Sequence, residues 1–271
     1  MGRQLNIVLG GVAILAWATA PILWQLLTSL RPVAYLTRLP PVLPPYLTTE
    51  NYAFLLRNPS FLRMLLNSTV VAGLSTIASL AVGSLAAFAL ACLPVRGRRG
   101  IEGITLAASL LPAIALIGPL YTLIKVLGLR DTWWALVLTH ATFLLPLTIW
   151  TLTHFFSELP KELYRSGQVD GLTPWQIFWK IYLPLSGGGL AASGILNFIF
   201  SWNEFLFALT FTNTDAARTV PVGIALFSGL HETPFGEIAA ASIVVSAPVL
   251  LFALVFQRGI VSGLTRGAVK G

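Results

Sequence analysis

Apolar residues recur along this chain in six long runs, separated by polar or proline-containing stretches. The runs cover approximately residues 5–30, 66–93, 104–127, 133–156, 184–210 and 237–257. A helix that crosses a bilayer needs roughly 20 mostly apolar residues. Backbone groups in lipid must find their hydrogen-bond partners within the segment, which a helix provides. The pattern therefore predicts an all-α, polytopic membrane protein with about six transmembrane helices.

Composition supports a membrane protein and argues against a nucleic-acid-binding one. Hydrophobic residues make up 56% of the 271 residues and charged residues only 10%, with a mean hydropathy of +0.80. A soluble domain normally carries about 25% charged residues. The formal net charge is +7, but the basic residues are scattered between apolar runs and form no basic helix face. Lipid headgroups are therefore the expected counter-charge, and no nucleic-acid partner is predicted.

The positions of the basic residues predict the orientation. Ten of the 17 lysines and arginines precede the first run, lie in the connections after the second and fourth runs, or follow the sixth. Positively charged connections tend to stay in the cytoplasm, so both termini are predicted to be cytoplasmic. The predicted organisation is a first helix with its outer loop (1–65), a core of five helices (66–257) and a cytoplasmic tail (258–271).

The cytoplasmic connection 157–184 has local signals of its own. Pro160 can open a helix, because a proline's missing N–H would be unpaired there. Asp170 and Gly171 supply a turn, and Thr173-Pro174-Trp175-Gln176 has the pattern of a capping box. We expect two short helices against the inner face of the membrane. From these residues alone, the pair could dock a partner protein or only contact lipid.

A family motif decides between these alternatives. The cytoplasmic loop of bacterial binding-protein-dependent ABC importer permeases follows the pattern E-A-A-x3-G-x9-I-x-L-P. The matching residues here are Gly171, Ile181, Leu183 and Pro184, preceded by Asp170. The extended sugar-permease pattern D-G-x-T-P-W-x-x-F spans residues 170–178. The chain thus resembles these permeases, although Arg165, Ser166 and Gly167 stand where the family has Glu-Ala-Ala.

Further segments along most of the chain resemble the same family. They are Ser29-Leu30-Arg31-Pro32, Glu50-Asn51-Tyr52, Leu66-Asn67-Ser68 and Ser201-Trp202-Asn203-Glu204-Phe205. The tail from residue 256 to 271 is similar to that of maltose/trehalose-type permeases.

The resemblance implies one of two membrane subunits of a carbohydrate importer in a bacterial or archaeal inner membrane. Its implied partners are a second permease subunit of different sequence, two copies of an ABC ATPase, and an extracytoplasmic sugar-binding protein. ATP and Mg²⁺ would bind the ATPase, because the sequence lacks a Walker motif. The chain itself is therefore expected to be no enzyme and to hold no cofactor.

The resemblance also assigns candidate coupling residues. Those facing the ATPase are expected among Glu162, Arg165, Ser166, Gly167, Asp170, Gly171, Trp175, Phe178, Ile181 and Pro184. Trp175 and Phe178 are the expected anchors, since Arg165 reverses the charge of the family's glutamate. Arg266 and Lys270 of the tail are expected to make a second contact with the ATPase.

Polar residues in the fifth apolar run are candidates for the substrate pathway. An isolated carboxylate such as Glu204 is costly in a membrane and is usually functional or paired. Asn197 and Asn203 lie on the same predicted helix. The three residues either contact substrate or fix helix packing. His140 and His154 are 14 residues apart with no companion ligands, so no metal site is predicted.

Three other hypotheses keep the membrane location. A non-sugar cargo would leave the family unchanged. A secondary transporter would need broken helices and intramembrane ion ligands, for which only Glu204 is a candidate. An intramembrane enzyme would need a set of catalytic groups, and the sequence offers none in a convergent pattern.

Overall fold

The structure is a computed structural model that describes residues 2–32, 36, 46–227 and 234–266. Every regular element in these ranges is helical: α1 (Gly2–Ser29), α2 (Glu50–Arg57), α3 (Pro59–Cys92), α4 (Arg98–Ser109), α5 (Ala113–Val126), α6 (Trp133–Glu158), α7 (Glu162–Val169), α8 (Pro174–Ile177), a π-helical turn (Phe178–Tyr182), α9 (Leu183–Leu185), α10 (Gly187–Asn203), α11 (Leu206–Phe211), α12 (Val220–Ala225) and α13 (Phe235–Arg266).

About six membrane spans were predicted, and the described residues contain four to six candidates. Four helices are long and apolar enough to cross a bilayer: Asn6–Ser29, Pro59–Cys92, Trp133–Glu158 and Phe235–Phe252. Two bent helix pairs raise the number to six if each pair forms one span. The predicted continuous runs 104–127 and 184–210 are both interrupted.

The break in the third run has a proline at its centre. α4 and α5 meet at 92°, and Pro112 between them is extended, with φ −66° and ψ 125°. Proline disfavours helical geometry in the residue before it and cannot donate a backbone hydrogen bond. The apolar pattern continues across Pro112, so hydrophobicity alone predicted an unbroken helix.

The break before α10 falls at Ser186 and not at Pro184, where the sequence pattern placed the end of the short helix. The helical chain continues through Pro184 to Leu185, and the segments on either side of Ser186 are bent by 78°. Pro184 is tolerated because it lies in the first turn of α9, after a π-helical turn. Gly187, Gly188 and Gly189 then follow.

The described residues divide into two compact units, Met1–Leu65 with Val220–Pro248, and Leu66–Thr219 with Val249–Gly271. In the first unit, Asn51 Nδ2 donates to the backbone oxygens of Ser29 (2.9 Å) and Arg31 (3.1 Å). Tyr52 Oη lies 2.6 Å from Ser29 Oγ. Two segments of the family resemblance, 29–32 and 50–52, are therefore in contact.

In the second unit, α3, α6 and α10 are joined by a buried polar network. Asn197 Nδ2 donates to Thr148 Oγ1 at 2.8 Å and to Ser79 Oγ at 3.3 Å. The hydroxyls of Ser79 and Thr148 are 2.9 Å apart. All three side chains are fully or almost fully buried, so the network holds the helices together without contact with solvent.

A polar junction lies just before the start of α6, where Asp131 meets the segment that follows α11. Asp131 Oδ1 accepts from the backbone N–H groups of Asn213 (2.9 Å) and Thr214 (3.1 Å), and Oδ2 accepts from Thr214 Oγ1 at 2.6 Å. Partial burial alone would raise the pKa of Asp131. These hydrogen bonds and the nearby Arg218 charge outweigh it, so the pKa is lowered below its ordinary value.

Candidate functional site

The segment 160–184 forms a helical hairpin, called the α7–α8 hairpin below. Gly171 occupies its turn with φ +76°, a conformation that glycine adopts at little cost. At the start of α8, Thr173 N–H donates to Gln176 Oε1 (2.9 Å) and Gln176 N–H donates to Thr173 Oγ1 (3.3 Å). The predicted helix pair, turn and capping box are confirmed.

Close contact at Gly167 holds the two arms of the hairpin together. A Cβ atom at this position would lie 2.9 Å from Ile177 Cγ1 and 3.2 Å from Ile181 Cδ1. Ile177 is fully buried. Gly167, at the third position of the Glu-Ala-Ala motif, therefore lets α7 pack directly on α8, and a larger residue would have to displace these isoleucine side chains.

A cluster of aromatic rings packs the hairpin against the C-terminal ends of α3 and α6. Phe88 of α3 packs against Phe178 and Tyr182, with ring centroids 5.3 and 5.1 Å apart. Phe156 of α6 lies 5.9 Å from Tyr182 and 6.4 Å from Phe88. These ring contacts connect the hairpin directly to α3 and α6.

Phe178 belongs to this internal cluster and is only 1% exposed. The expectation that its ring anchors a partner protein is therefore corrected. The ring is already covered by the chain's own core.

Three other apolar side chains form the outer face of the hairpin. Val169 is 86% exposed, Trp175 58% and Trp179 49%, and the two indole rings pack at 5.6 Å. Of these three side chains, only that of Trp175 was predicted from the sequence, and Val169 and Trp179 were not. The i, i+4 spacing of the two tryptophans was the available signal.

The polar coupling candidates lie on the hairpin surface. Glu162, Arg165, Ser166 and Asp170 are all exposed, as is Pro184, while Ile181 is half-buried. Lys161 and Arg165 also line a pocket of about 550 Å³, together with Arg98. The surface beside the hairpin is thus basic. Of the tail residues expected to contact the ATPase, Arg266 is described only as the last backbone position of α13, and Lys270 lies outside the described residues.

Glu204 lies at a third break in the helical chain, where α10 ends and the backbone becomes extended (φ −67°, ψ 129°). Its Oε1 accepts from Phe207 N–H at 2.8 Å, and its Oε2 accepts from Ala208 N–H at 3.1 Å. His140 Nε2 lies 3.1 Å from Oε2. The carboxylate thus caps α11 and is paired within the chain. The pairing of His140 with Glu204 was not predicted from the sequence, because the two residues are 64 positions apart.

The other two pathway candidates are placed differently. Asn197 is 1% exposed and its amide is taken up by the network between α3, α6 and α10, so no pathway role is proposed for it. Asn203 is exposed, and its amide donates to Ile199 O within its own helix at 2.8 Å. Asn197 and Glu204 do not lie on one continuous helix, because α10 ends at Asn203.

Comparison with known proteins places this arrangement in a family. The model described as "Binding-protein-dependent transport system inner membrane component" matches residues 79–265, which include the α7–α8 hairpin and Glu204. The chain belongs to this family. This permease is therefore an inner-membrane transport component, as the sequence resemblance implied.

Individual relatives cover almost the whole chain. The trehalose transport system permease protein SugB of Mycobacterium tuberculosis is 42% identical over 260 residues, covering 95% of this permease and 94% of SugB. The trehalose/maltose transport system permease protein MalG of Thermococcus litoralis is 39% identical, covering 99% and 98%.

A solved structure shares the fold. A chain of a bacterial ABC transporter involved in the import of the acidic polysaccharide alginate superposes with a TM-score of 0.80 at 22% identity, covering 94% of this permease and 95% of that chain. The prediction of an all-α permease fold is confirmed.

Proposed function

We propose that this permease forms half of the translocation pathway of an ABC importer for a sugar or oligosaccharide. The names of the two relatives above support a carbohydrate cargo, since both transport trehalose or trehalose and maltose. The other half of the pathway is a second permease subunit of different sequence. An extracytoplasmic binding protein delivers the sugar.

Energy comes from two copies of an ABC ATPase that bind ATP and Mg²⁺. The sequence of this permease has no Walker motif, so it takes part in the cycle mechanically. ATP closes the ATPase pair, the α7–α8 hairpin follows it, and the attached ends of α3 and α6 move with the hairpin. Closure and opening of the ATPases thus alternate the side of the membrane to which the pathway opens.

The observation that carries this proposal is the division of the hairpin into an exposed apolar face and a buried aromatic base. Val169, Trp175 and Trp179 expose apolar surface that water solvates poorly. Phe178 and Tyr182 fix the same segment to the spanning helices. A docking element that transmits movement needs both features.

Docking relies mainly on shape and apolar burial. Arg165 reverses the charge that the family motif carries at this position, and the nearby Lys161 adds a second positive charge. Glu162 and Asp170 supply exposed carboxylates, and Arg266 and Lys270 of the tail add a second contact. Both termini and the hairpin lie on the cytoplasmic side.

Substitution of Trp175 tests the coupling role. We expect Trp175→Ala to weaken ATPase association at least tenfold, because tryptophan anchors at interfaces often contribute 2 kcal/mol or more. Trp150→Ala is the matched control, since Trp150 is 46% exposed on α6. The measurements are co-purification of the ATPase and sugar uptake by the reconstituted complex. Equal assembly and uptake in the two variants would refute the coupling role of the hairpin.

A further inference from the structure

A pocket of about 480 Å³ lies in the second unit beside the break between α4 and α5. The α4–α5 break forms one wall through Ser109, Leu111 and Ala113, and α6 and α10 form the others. The polar and aromatic side chains of the lining are His140, Phe143, Phe200, Ser201, Glu204 and Phe207. The pocket thus combines one carboxylate with several aromatic rings.

The polar side of this pocket is built in advance. His140 is 2% exposed and Ser201 5%, so neither side chain can rearrange into bulk water. His140 Nε2 donates to Glu204 Oε2 (3.1 Å), and its Nδ1 then accepts from Ser201 Oγ–H (2.8 Å). The carboxylate fixes this tautomer because it can only accept. The orientation of Glu204 is therefore determined by its neighbours.

Glu204 retains unused hydrogen-bonding capacity towards the pocket. A carboxylate offers about four acceptor positions, and the contacts described above use three of them. The side chain remains 19% exposed. A hydroxyl group entering the pocket could donate to the free position in a charge-assisted hydrogen bond, which is about twice as strong as a neutral one.

The apolar side offers a surface for a sugar ring. Phe200 is 56% exposed and Phe143 is partly exposed, whereas Phe207 is buried and packs on Phe143 with centroids 4.8 Å apart. The C–H face of a pyranose packs well on aromatic rings, while its hydroxyls need polar partners. Lipid in this pocket would leave the Glu204 carboxylate against hydrocarbon, which is costly.

We propose that this pocket is a sugar-binding subsite on the translocation pathway. The Glu204 carboxylate accepts a hydrogen bond from a hydroxyl group of the sugar, and Phe200 stacks on the sugar ring. His140 and Ser201 hold the carboxylate in position. The negative charge of Glu204 favours neutral sugars and disfavours anionic ones. The inference rests on the proposed carbohydrate cargo, and it adds the residues and the charge class that this chain selects.

Cysteine labelling tests whether the pocket is part of an aqueous, sugar-occupied path. Cys92 is the single cysteine, so Cys92→Ala gives a cysteine-free background. Ser109→Cys would place a thiol in the pocket wall, and Leu138→Cys, 49% exposed on α6 outside the pocket, is the control. We expect a membrane-impermeant thiosulfonate to label Ser109→Cys in the reconstituted complex, and saturating trehalose or maltose with the binding protein to slow that labelling severalfold. Leu138→Cys should not respond to the sugar.

Transport by binding-site variants tests the residue assignments. We expect Phe200→Ala to lower the apparent affinity for sugar roughly two- to tenfold. Glu204→Gln should lower it roughly tenfold and reduce discrimination against a uronic-acid disaccharide. In both variants the ATP hydrolysed per sugar transported should rise. A purely structural defect would instead lower assembly, ATP hydrolysis and uptake together. Trp150→Ala is the control and should have the same affinity and the same ATP use per sugar as the wild type.

The outcomes separate this inference from the proposed function. A wild-type complex that transports none of a panel of sugars and oligosaccharides, with trehalose and maltose among them, contradicts the carbohydrate cargo, and the subsite falls with it. The subsite alone is refuted by a different result. In that case the wild-type complex transports sugar, but sugar does not slow the labelling of Ser109→Cys and the Phe200→Ala variant keeps its affinity for sugar.

Discussion

Gly167 sets the distance between the two arms of the α7–α8 hairpin. A Cβ atom there would approach Ile177 Cγ1 to 2.9 Å, and both neighbouring isoleucine side chains are confined by the hairpin. Position 167 is therefore constrained by packing, whereas its neighbour Ser166 is exposed. Two adjacent residues of one family motif have different physical roles.

We expect Gly167→Val to destabilise the hairpin by about 1–3 kcal/mol, the usual cost of overpacking. Because the hairpin carries the proposed ATPase contact, coupled transport should fall as well. The thermal stability of the purified permease and co-purification of the ATPase measure the two effects. Ser166→Val places the same side chain on the exposed side and should leave stability almost unchanged, and similar losses in both variants would contradict this explanation.

Asp131 stabilises the polar junction in its ionised form. Three hydrogen bonds to its carboxylate and the Arg218 charge lower its pKa despite partial burial. A lowered folded-state pKa contributes stability that is fully present above the unfolded value near 3.9 and is lost as the pH falls through the folded value. Asp131 also has φ +58°, which aspartate and asparagine tolerate.

We expect Asp131→Asn to lower stability by about 1 kcal/mol at pH 7, because neutral hydrogen bonds replace charge-assisted ones. The difference from the wild type should disappear as the pH falls below about 4. Thermal unfolding in detergent between pH 3 and 7 measures it. Glu158→Gln, at an exposed residue of the same unit, is the control, and a stability difference independent of pH would argue against the role of ionisation.

At the scale of elements, the network of Asn197, Ser79 and Thr148 holds three spanning helices together. Small residues of α3 bring the helices close: Ala72, Ser79 and Ala87 are fully buried. In lipid, hydrogen bonds between helices supplement packing, because there is no hydrophobic driving force between apolar helix surfaces. The network is therefore an element of stability, separate from the proposed sugar subsite.

We expect Asn197→Leu to cost about 0.6–2 kcal/mol of stability, the range measured for hydrogen bonds between membrane helices. The ratio of affinities for trehalose and maltose should stay unchanged, because Asn197 does not line the pocket. Asn203→Leu serves as the comparison, since the Asn203 amide bonds only within its own helix and its loss should cost less. A changed sugar preference in Asn197→Leu would show that this residue contacts substrate.

At the scale of the molecule, the second unit has two functional ends. One end lies at the start of α6, beside the Asp131 junction. There Asn67 of α3 accepts from Trp133 Nε1 through its Oδ1 at 2.9 Å, and Asn67 Nδ2 donates to the backbone oxygens of Asp215 and Arg218. The aromatic base of the hairpin lies near the C-terminal ends of α3 and α6. From Asn67 to Phe88, α3 rises about 32 Å, close to the thickness of a bilayer core.

We expect this distance to span the membrane, with the hairpin and both termini cytoplasmic and the Asp131 junction outside. Reporter fusions after Gly97 and at the C-terminus should make a fluorescent protein fluoresce, and a fusion after Gly128 should make alkaline phosphatase active. The excess of basic residues in the inner connections is the physical reason. The reverse reporter pattern would refute the orientation.

The sequence by itself determined the class, the family and much of the local geometry. The six apolar runs, the helix pair with its turn at Gly171 and the capping box at Thr173 all depend on residues within a few positions of one another, or on hydrophobicity summed over about 20 residues. Such local preferences act before any tertiary contact exists. The family motifs, which also lie in short segments, identified the inner-membrane permease.

Only the tertiary structure decided which side chains face outward and which long-range pairs form. It buried Phe178 under the hairpin and left Trp179 exposed, it paired Glu204 with His140, and it enclosed Asn197 between helices. Two of the apolar runs are also interrupted in the structure. The residues remain apolar on both sides of Pro112 and Ser186, but the hydrogen-bonded helix ends there. These outcomes depend on packing between helices distant in sequence, which no periodicity within a single helix records.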